Sequence, residues 1–171
     1  MTKGKIEVIE KESVVVKFAG DCGDGMQLSG TLFSDTSAMS GNDLSTFPDY
    51  PAEIRAPHNT VAGVSGYQVH IGSEIHTIGD KCDVLVPMNP ASLRANLQWV
   101  NMGGTIIVDA DTFVERAITK AGYESNPLED GSLSSYNLIK APISSAAKQV
   151  ALEQGLELKE ADRTKNMYAL G

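Results

Sequence analysis

Hydrophobic and polar positions along this chain switch between two spacings. Residues 13–19, SVVVKFA, are apolar or β-branched at most positions and follow a charged lead-in over residues 3–12, which predicts a buried strand. From residue 26 the spacing becomes helical. Leu28, Leu32 and Met39 fall at offsets of zero, four and eleven with Phe33 beside them, predicting a helix over 26–39 whose apolar stripe lies on a sheet. Gly41 and Asn42 supply its stop.

Three later units repeat the strand-then-helix order: 82–87 before 91–99, 105–108 before 113–121, and 136–139 before 144–155. That repetition predicts an α/β fold, a three-layer α/β/α arrangement with a mainly parallel central sheet, Rossmann-like in outline. Residues 45–66 are rich in Pro, Gly, Asn and Thr and are too long for a simple connection, so an insertion that carries function is expected there. The closing residues KNMYALG read as the start of an apolar helix with no cap and no polar tail. The expectation is therefore a single domain over 1–171 that is the N-terminal fragment of a longer subunit.

Composition narrows the partners. With 42% hydrophobic and 21% charged residues, the chain belongs with ordinary globular proteins. A formal charge of −8 without any basic run opposes a nucleic-acid backbone or an anionic lipid surface, so neither nucleic acid nor membrane is expected as a partner. No apolar run approaches the roughly 18 residues of a spanning helix, and residues 1–13 lack the apolar core of a signal peptide; a cytoplasmic location is expected. Cys22 and Cys82 are too far apart for a CxxC pair, and His58, His70 and His76 have no HxxxH or HExxH spacing. No metal or cluster site is expected in this chain.

The first strand runs into GDCGDGM, where Gly20, Gly23 and Gly25 give GxxGxG in place of the dinucleotide fingerprint GxGxxG. Gly20 and Gly25 fit the GxxxxG of a phosphate loop, but Met26 and Gln27 stand where Lys and Ser or Thr should meet phosphate and Mg²⁺. Asp21 and Asp24 add negative charge that opposes a phosphate, although a helix N-terminus favours one. Two readings stay open for these five residues: a turn whose glycines permit positive φ and close packing, or a contact to a ligand or partner.

A second candidate is FPDYPAEIRAP, in which prolines stiffen a loop carrying Tyr50, Glu53 and Arg55. Arg55 could grip a carboxylate or phosphate bidentately, or pair with Glu53 or Asp49 on the surface. Asp109 and Asp111 close an apolar run at a strand's carboxyl end, where ligands gather in open α/β sheets. Asp111 or Thr112 equally suits the cap of the following helix, and Asn89 invites the same two readings. Trp99 reads as a core or interface residue. No Ser/His/Asp or Cys/His set assembles, so no catalytic residue is assigned.

Taken in order, VVVKFAGDCGDGMQLSG, GNDLSTFPDYPAEIRAPHNTVAGVSGYQVHIGS, DVLVPMNPASL, GGTIIVD and KNMYALG resemble one family, the 2-oxoacid:ferredoxin oxidoreductases. The similarity is to the gamma domain that opens the alpha subunit of the 2-oxoglutarate type, and it covers nearly the whole chain. It implies CoA-dependent oxidative decarboxylation of a 2-oxoacid to an acyl-CoA, in complex with a thiamine-binding alpha domain and a beta subunit. Thiamine pyrophosphate, Mg²⁺ and the iron–sulfur cluster would sit in those partner domains, coenzyme A would be co-substrate, and ferredoxin would accept the electrons. This domain alone would be inactive. The family's glycine loop appears as Gly20, Asp21, Gly23, Asp24 and Gly25, expected as a structural and assembly loop at the coenzyme A approach, and its tyrosine-to-arginine loop as Tyr50, Pro51, Glu53 and Arg55. Many relatives carry GxGGxG and a glycine after the arginine, where this chain has Cys22-Gly23-Asp24 and Ala56-Pro57. The alternatives are a free-standing nucleotide-binding α/β module and a purely structural assembly domain.

Overall fold

The β-branched run that opens the regular structure becomes a central strand, flanked on both sides by others. The fold is that of a computed structural model, which describes residues 10–21, 25–50, 63–161 and 164–170. Its elements run β1 (Ser13–Asp21), α1 (Met26–Met39), β2 (Asp43–Asp49), β3 (Val64–Gly72), β4 (Cys82–Pro87), α2 (Pro90–Asn96), β5 (Val100–Asp109), α3 (Glu115–Lys120), β6 (Asn137–Ala141), α4 (Ile143–Glu153), α5 (Leu158–Ala161) and α6 (Lys165–Leu170). The strands lie in the order β2-β3-β1-β4-β5-β6. The β1–β4, β4–β5 and β5–β6 ladders are parallel, while β3 is antiparallel to both β1 and β2. Only β3 therefore runs against the others, and the sheet is mainly parallel, as the repeated strand-helix units imply.

Alternation along β1 builds two cores. Val15 and Ala19 join Leu85, Ile106 and Val108 under Leu93 of α2 and Ile118 of α3. Val16 and Phe18 point the other way, packing with Met26 of α1, Ile143 of α4 and, at their edge, Ala169 and Leu170 of α6. Strands buried on both faces in this way read as continuous apolar runs. The result is the expected three-layer α/β/α arrangement. At the amino edge, Asp83 accepts from the Val15 amide at 3.0 Å and from Asn101 at 3.2 Å, with Lys11 at 3.6 Å. Burial pushes its carboxyl up, but these hydrogen bonds and the lysine outweigh it and hold the group below the usual carboxylate range.

Two expectations are corrected. The first is the insertion over 45–66, whose described part is largely β2 and the start of β3, in the register Phe47↔Gln68 and Asp49↔Gly66. Pro48 hid the strand, yet a proline is tolerated on an edge strand, which is where β2 lies. Residues 51–62 lie outside the described residues.

The second correction concerns the stripe of α1. Leu28, Leu32 and Met39 face outward, exposed by 57%, 36% and 90%, and the helix lies on the sheet through Met26, Ser29, Gly30 and Ser34. Close approach explains the choice. The Tyr67 ring of β3 packs against Gly30 so tightly that any Cβ there would overlap it. The buried hydroxyls cost little, because Ser29 donates to the Gly25 carbonyl at 3.2 Å and Ser34 to the Gly30 carbonyl at 2.8 Å. Of the apolar residues named for the stripe, Phe33 alone turns inward, meeting Phe18 edge to face with centroids 5.4 Å apart.

Helix propensity favours Ala over Gly by ~1 kcal/mol, whereas overpacking costs ~1–3 kcal/mol. At Gly30 overpacking wins. Gly30→Ala is expected to lower stability by ~1–2 kcal/mol, or ~2–8 °C in melting temperature. A thermal melt showing a rise would contradict this packing.

Candidate functional site

Because β1, β2, β4, β5 and β6 share a direction, their carboxyl ends lie along one edge. Both loops singled out in the sequence leave from it. At the end of β1 Gly20 is buried, and a Cβ there would come within 3.0 Å of the Met26 sulfur. Gly25 opens α1 with φ +79° and ψ 22°, left-handed geometry that favours glycine, and a Cβ on it would lie 2.7 Å from Asn166 Nδ2 on α6. Positive φ and close packing therefore both apply at Gly25. Gln27 stands where a phosphate loop has its hydroxyl, and here its Nε2 donates to the Gly66 carbonyl at 2.8 Å and to Ser65 Oγ at 3.2 Å. That side chain staples the start of α1 to β3. Gly23 and Asp24 lie outside the described residues.

Asp21 accepts a hydrogen bond from Asn89 Nδ2 at 2.9 Å. Asn89 is itself the N-cap of α2: its Oδ1 accepts from the Ser92 amide at 2.8 Å, and Ser92 Oγ accepts from the Asn89 amide at 3.2 Å. This is a capping box, so the capping reading of Asn89 holds. The pair joins the ends of β1 and β4 where the chain departs to opposite faces, α1 to one and α2 to the other. Ligands of open α/β sheets bind in such a crevice. A cavity of about 120 Å³ opens there, lined by Asp21, Asn89, Pro90, Ala91, Ala117 and Lys120 among others. Small-molecule sites commonly run to ~300–1,000 Å³, so this one has room for a fragment of a ligand and not for a whole nucleotide.

Asp109 caps the short 3-10 turn Ala110–Thr112 that follows it, but neither Asp109 nor Asp111 caps α3, and both reach a more distant helix. Asp109 is fully buried and accepts from the Ser144 hydroxyl, from the Ser144 amide at 3.2 Å and from the Asp111 amide at 3.4 Å. Asp111 accepts from the Ser145 amide at 2.7 Å. Both carboxyl groups thus meet the first turn of α4, where orphan amides and the helix dipole favour them. Helix α3 has Val114 at its N-cap and no side-chain cap, which corrects the expectation that Asp111 or Thr112 caps it. Thr112 instead donates to the carbonyls of Met88 and Asp109.

On the second loop, Tyr50 directly follows β2 and is 68% exposed. Its neighbour Asp49 pairs at 3.3 Å with Lys17, a buried lysine that reaches across Gly66 from β1. One of the two surface partners open to Arg55 is therefore already engaged. Glu53 and Arg55 lie outside the described residues. Sequence reasoning missed Lys17, Gln27 and Lys120 as groups of this edge. The signal for Lys17 was present, since a lysine inside VVVKFA must either be paired or break the strand.

Among the described residues, no three His, Cys, Asp or Glu side chains gather closely enough to hold a metal ion. Cys82 is fully buried at the start of β4, and burial, only partly offset by Lys17, pushes its thiol up to about 11, leaving it unreactive. Among the described residues the edge offers hydrogen-bond donors, an open cavity and the starts of two loops, but no nucleophile held by a base.

Residues 15–171 match the family model described as pyruvate ferredoxin/flavodoxin oxidoreductase. A curated relative, 2-oxoglutarate oxidoreductase subunit KorA of Mycobacterium tuberculosis, is 49% identical over 161 residues, covering 94% of this chain and 25% of its own length. Among solved structures, the 2-oxoglutarate:ferredoxin oxidoreductase of Magnetococcus marinus, with 2-oxoglutarate, coenzyme A and succinyl-CoA bound, superposes with a TM-score of 0.67 at 27% identity, over 94% of this chain and 23% of that one. The gamma subunit of a keto/oxoacid ferredoxin oxidoreductase from Geobacter sulfurreducens gives 0.65 at 17% identity, over 92% and 72%, a likeness of fold. The chain spans about a quarter of the length of the curated relative it matches.

If Asp109 serves α4 and not a ligand, removing its charge costs stability with nothing bound. Asp109→Asn is expected to lose ~1.5–3 kcal/mol in urea unfolding of the chain, the scale of a charged hydrogen bond. Unchanged stability would return Asp109 to the ligand-gathering reading.

Proposed function

The chain belongs to the pyruvate ferredoxin/flavodoxin oxidoreductase family, and from that premise we propose that it is the gamma-type domain of a 2-oxoglutarate:ferredoxin oxidoreductase. The observation that carries the reading is the 49% identity, across nearly all of this chain, to a 2-oxoglutarate oxidoreductase subunit. The ligands bound in the Magnetococcus structure support the same substrate pair. The reaction is oxidative decarboxylation: 2-oxoglutarate loses carbon dioxide, the succinyl group left behind passes to the sulfur of coenzyme A as the thiol gives up its proton, and two electrons leave for ferredoxin. Thiamine pyrophosphate with Mg²⁺ supplies the decarboxylation chemistry and an iron–sulfur cluster carries the electrons, both in the thiamine-binding alpha domain and beta subunit that partner this one.

The part played by this chain is binding and positioning. The loop of Gly20, Asp21, Gly23, Asp24 and Gly25 contacts a partner or ligand at the carboxyl edge, with Asn89 holding Asp21 in place. Its two aspartates disfavour phosphate, so anion binding falls to the second loop, of Tyr50, Glu53 and Arg55. The planar fork of Arg55 suits a phosphate of coenzyme A. The 120 Å³ cavity fits this shared role, because a site completed by other domains needs only part of its wall here. No helix among the described residues is long and apolar enough to cross a membrane, and the proposed place of work is the cytoplasm.

Reconstitution tests the reading. Assembled with thiamine- and cluster-bearing subunits, the chain should support viologen reduction that requires both 2-oxoglutarate and coenzyme A and that pyruvate sustains poorly. By itself it should neither bind thiamine pyrophosphate nor reduce the dye. Dye reduction by the chain alone, or an assembled enzyme indifferent to 2-oxoglutarate, would sink the proposal.

A further inference from the structure

Helix α1 turns to solvent a face whose residues do not suit it. Leu28, Leu32 and Met39 are exposed by 57%, 36% and 90%, and Thr31, Thr36 and Ala38 beside them are exposed and uncharged. Of the 14 residues in the helix only Asp35 carries charge, in a chain that is 21% charged, and it lies exposed on this same face, three residues after Leu32 and four before Met39. Surface helices ordinarily place charged groups on the outer side, whereas the centres of protein interfaces are depleted of them. The face also continues sideways. Helix α6 packs beside α1, with Met167 and Tyr168 exposed by 41% and 47%. A groove of about 310 Å³, lined by Leu32, Phe33 and Leu170 among others, runs between the two helices. The groove lies along the second half of α1, away from the helix start at Gly25.

We propose that the outer face of α1 and the α1–α6 groove are the surface on which the rest of the same long subunit docks, through an apolar protein face seated on Leu28, Leu32 and Met39 that leaves Asp35 paired or at its rim. The inference rests on the function proposed above. Two observations select this occupant. In KorA and in the Magnetococcus enzyme the matched domain is 25% and 23% of a single chain, so most of such a protein is tethered close by, at a high effective concentration. An anionic partner, by contrast, would require cations, and α1 contains neither Lys nor Arg.

The test is cysteine labelling. Met39→Cys places a thiol at a position 90% exposed, where substitution leaves the fold undisturbed. Maleimide modification, taken over the parent rate, is compared between the 171-residue chain by itself and the reconstituted enzyme, with 2-oxoglutarate turnover measured on the same preparation. Fast labelling of the chain and labelling slowed on the order of tenfold in the enzyme is the expected result, since an interface core excludes solvent. Equal rates in an enzyme that turns over 2-oxoglutarate would overturn the docking surface and leave the function standing. Slow labelling already in the chain alone, with a dimeric sedimentation coefficient, would overturn it in favour of a second copy. Protection in an assembly without 2-oxoglutarate turnover would sustain the contact and sink the function.

Discussion

Strand β1 sends apolar side chains to both faces of the sheet, and the rest of the structure answers to that double burial. Val15 and Ala19 must be covered from one side, Val16 and Phe18 from the other. The chain meets the demand by sending α1 to one face and α2 and α3 to the other. Where those paths part, at the ends of β1 and β4, no helix can fill the gap, and a crevice follows from the topology. The Asp21–Asn89 bond closes its floor, tying the first loop to the cap of α2. A site that depends on this edge depends on the burial of β1 first.

Close packing then sets which residues are available to partners. Gly30 admits the Tyr67 ring, and Gly25 admits Asn166, so α1 lies against β3 and α6 through its smallest side chains. Of its larger ones, Leu28, Leu32 and Met39 are left facing out. The same economy appears on the other side of β3, where Gly66 leaves room for Lys17 to cross to Asp49. A buried lysine survives there because its ammonium is paired. That pairing holds the last residue of β2, and Tyr50 departs from it.

What was legible in the sequence was local. The SVVVKFA run, the later strand-helix units and the left-handed glycine before α1 could each be read from neighbouring residues alone. What escaped required knowledge of distant partners. Periodicity located the apolar residues of α1 but could not tell that Ser29, Gly30 and Ser34 would be the buried ones, since that depends on Tyr67. Strands β2 and β3 were hidden by Pro48 and by glycines whose tolerance depends on pairing with each other and with β1. Asp109 and Asp111 had the chemistry of caps, yet the helix they serve begins more than thirty residues later. The resemblance carried by the glycine loop and the tyrosine-to-arginine loop supplied the functional direction that spacing left open.

These threads meet in one claim, that the carboxyl edge, through the loops after β1 and β2, is the working edge of this domain. Hydrogen exchange on the reconstituted enzyme, with and without coenzyme A, tests it directly. The account predicts slower exchange on coenzyme A binding in peptides covering residues 19–30 and 48–64, with no change over residues 97–104 at the opposite edge. Protection confined to residues 97–104, or absent from both loops, would contradict it.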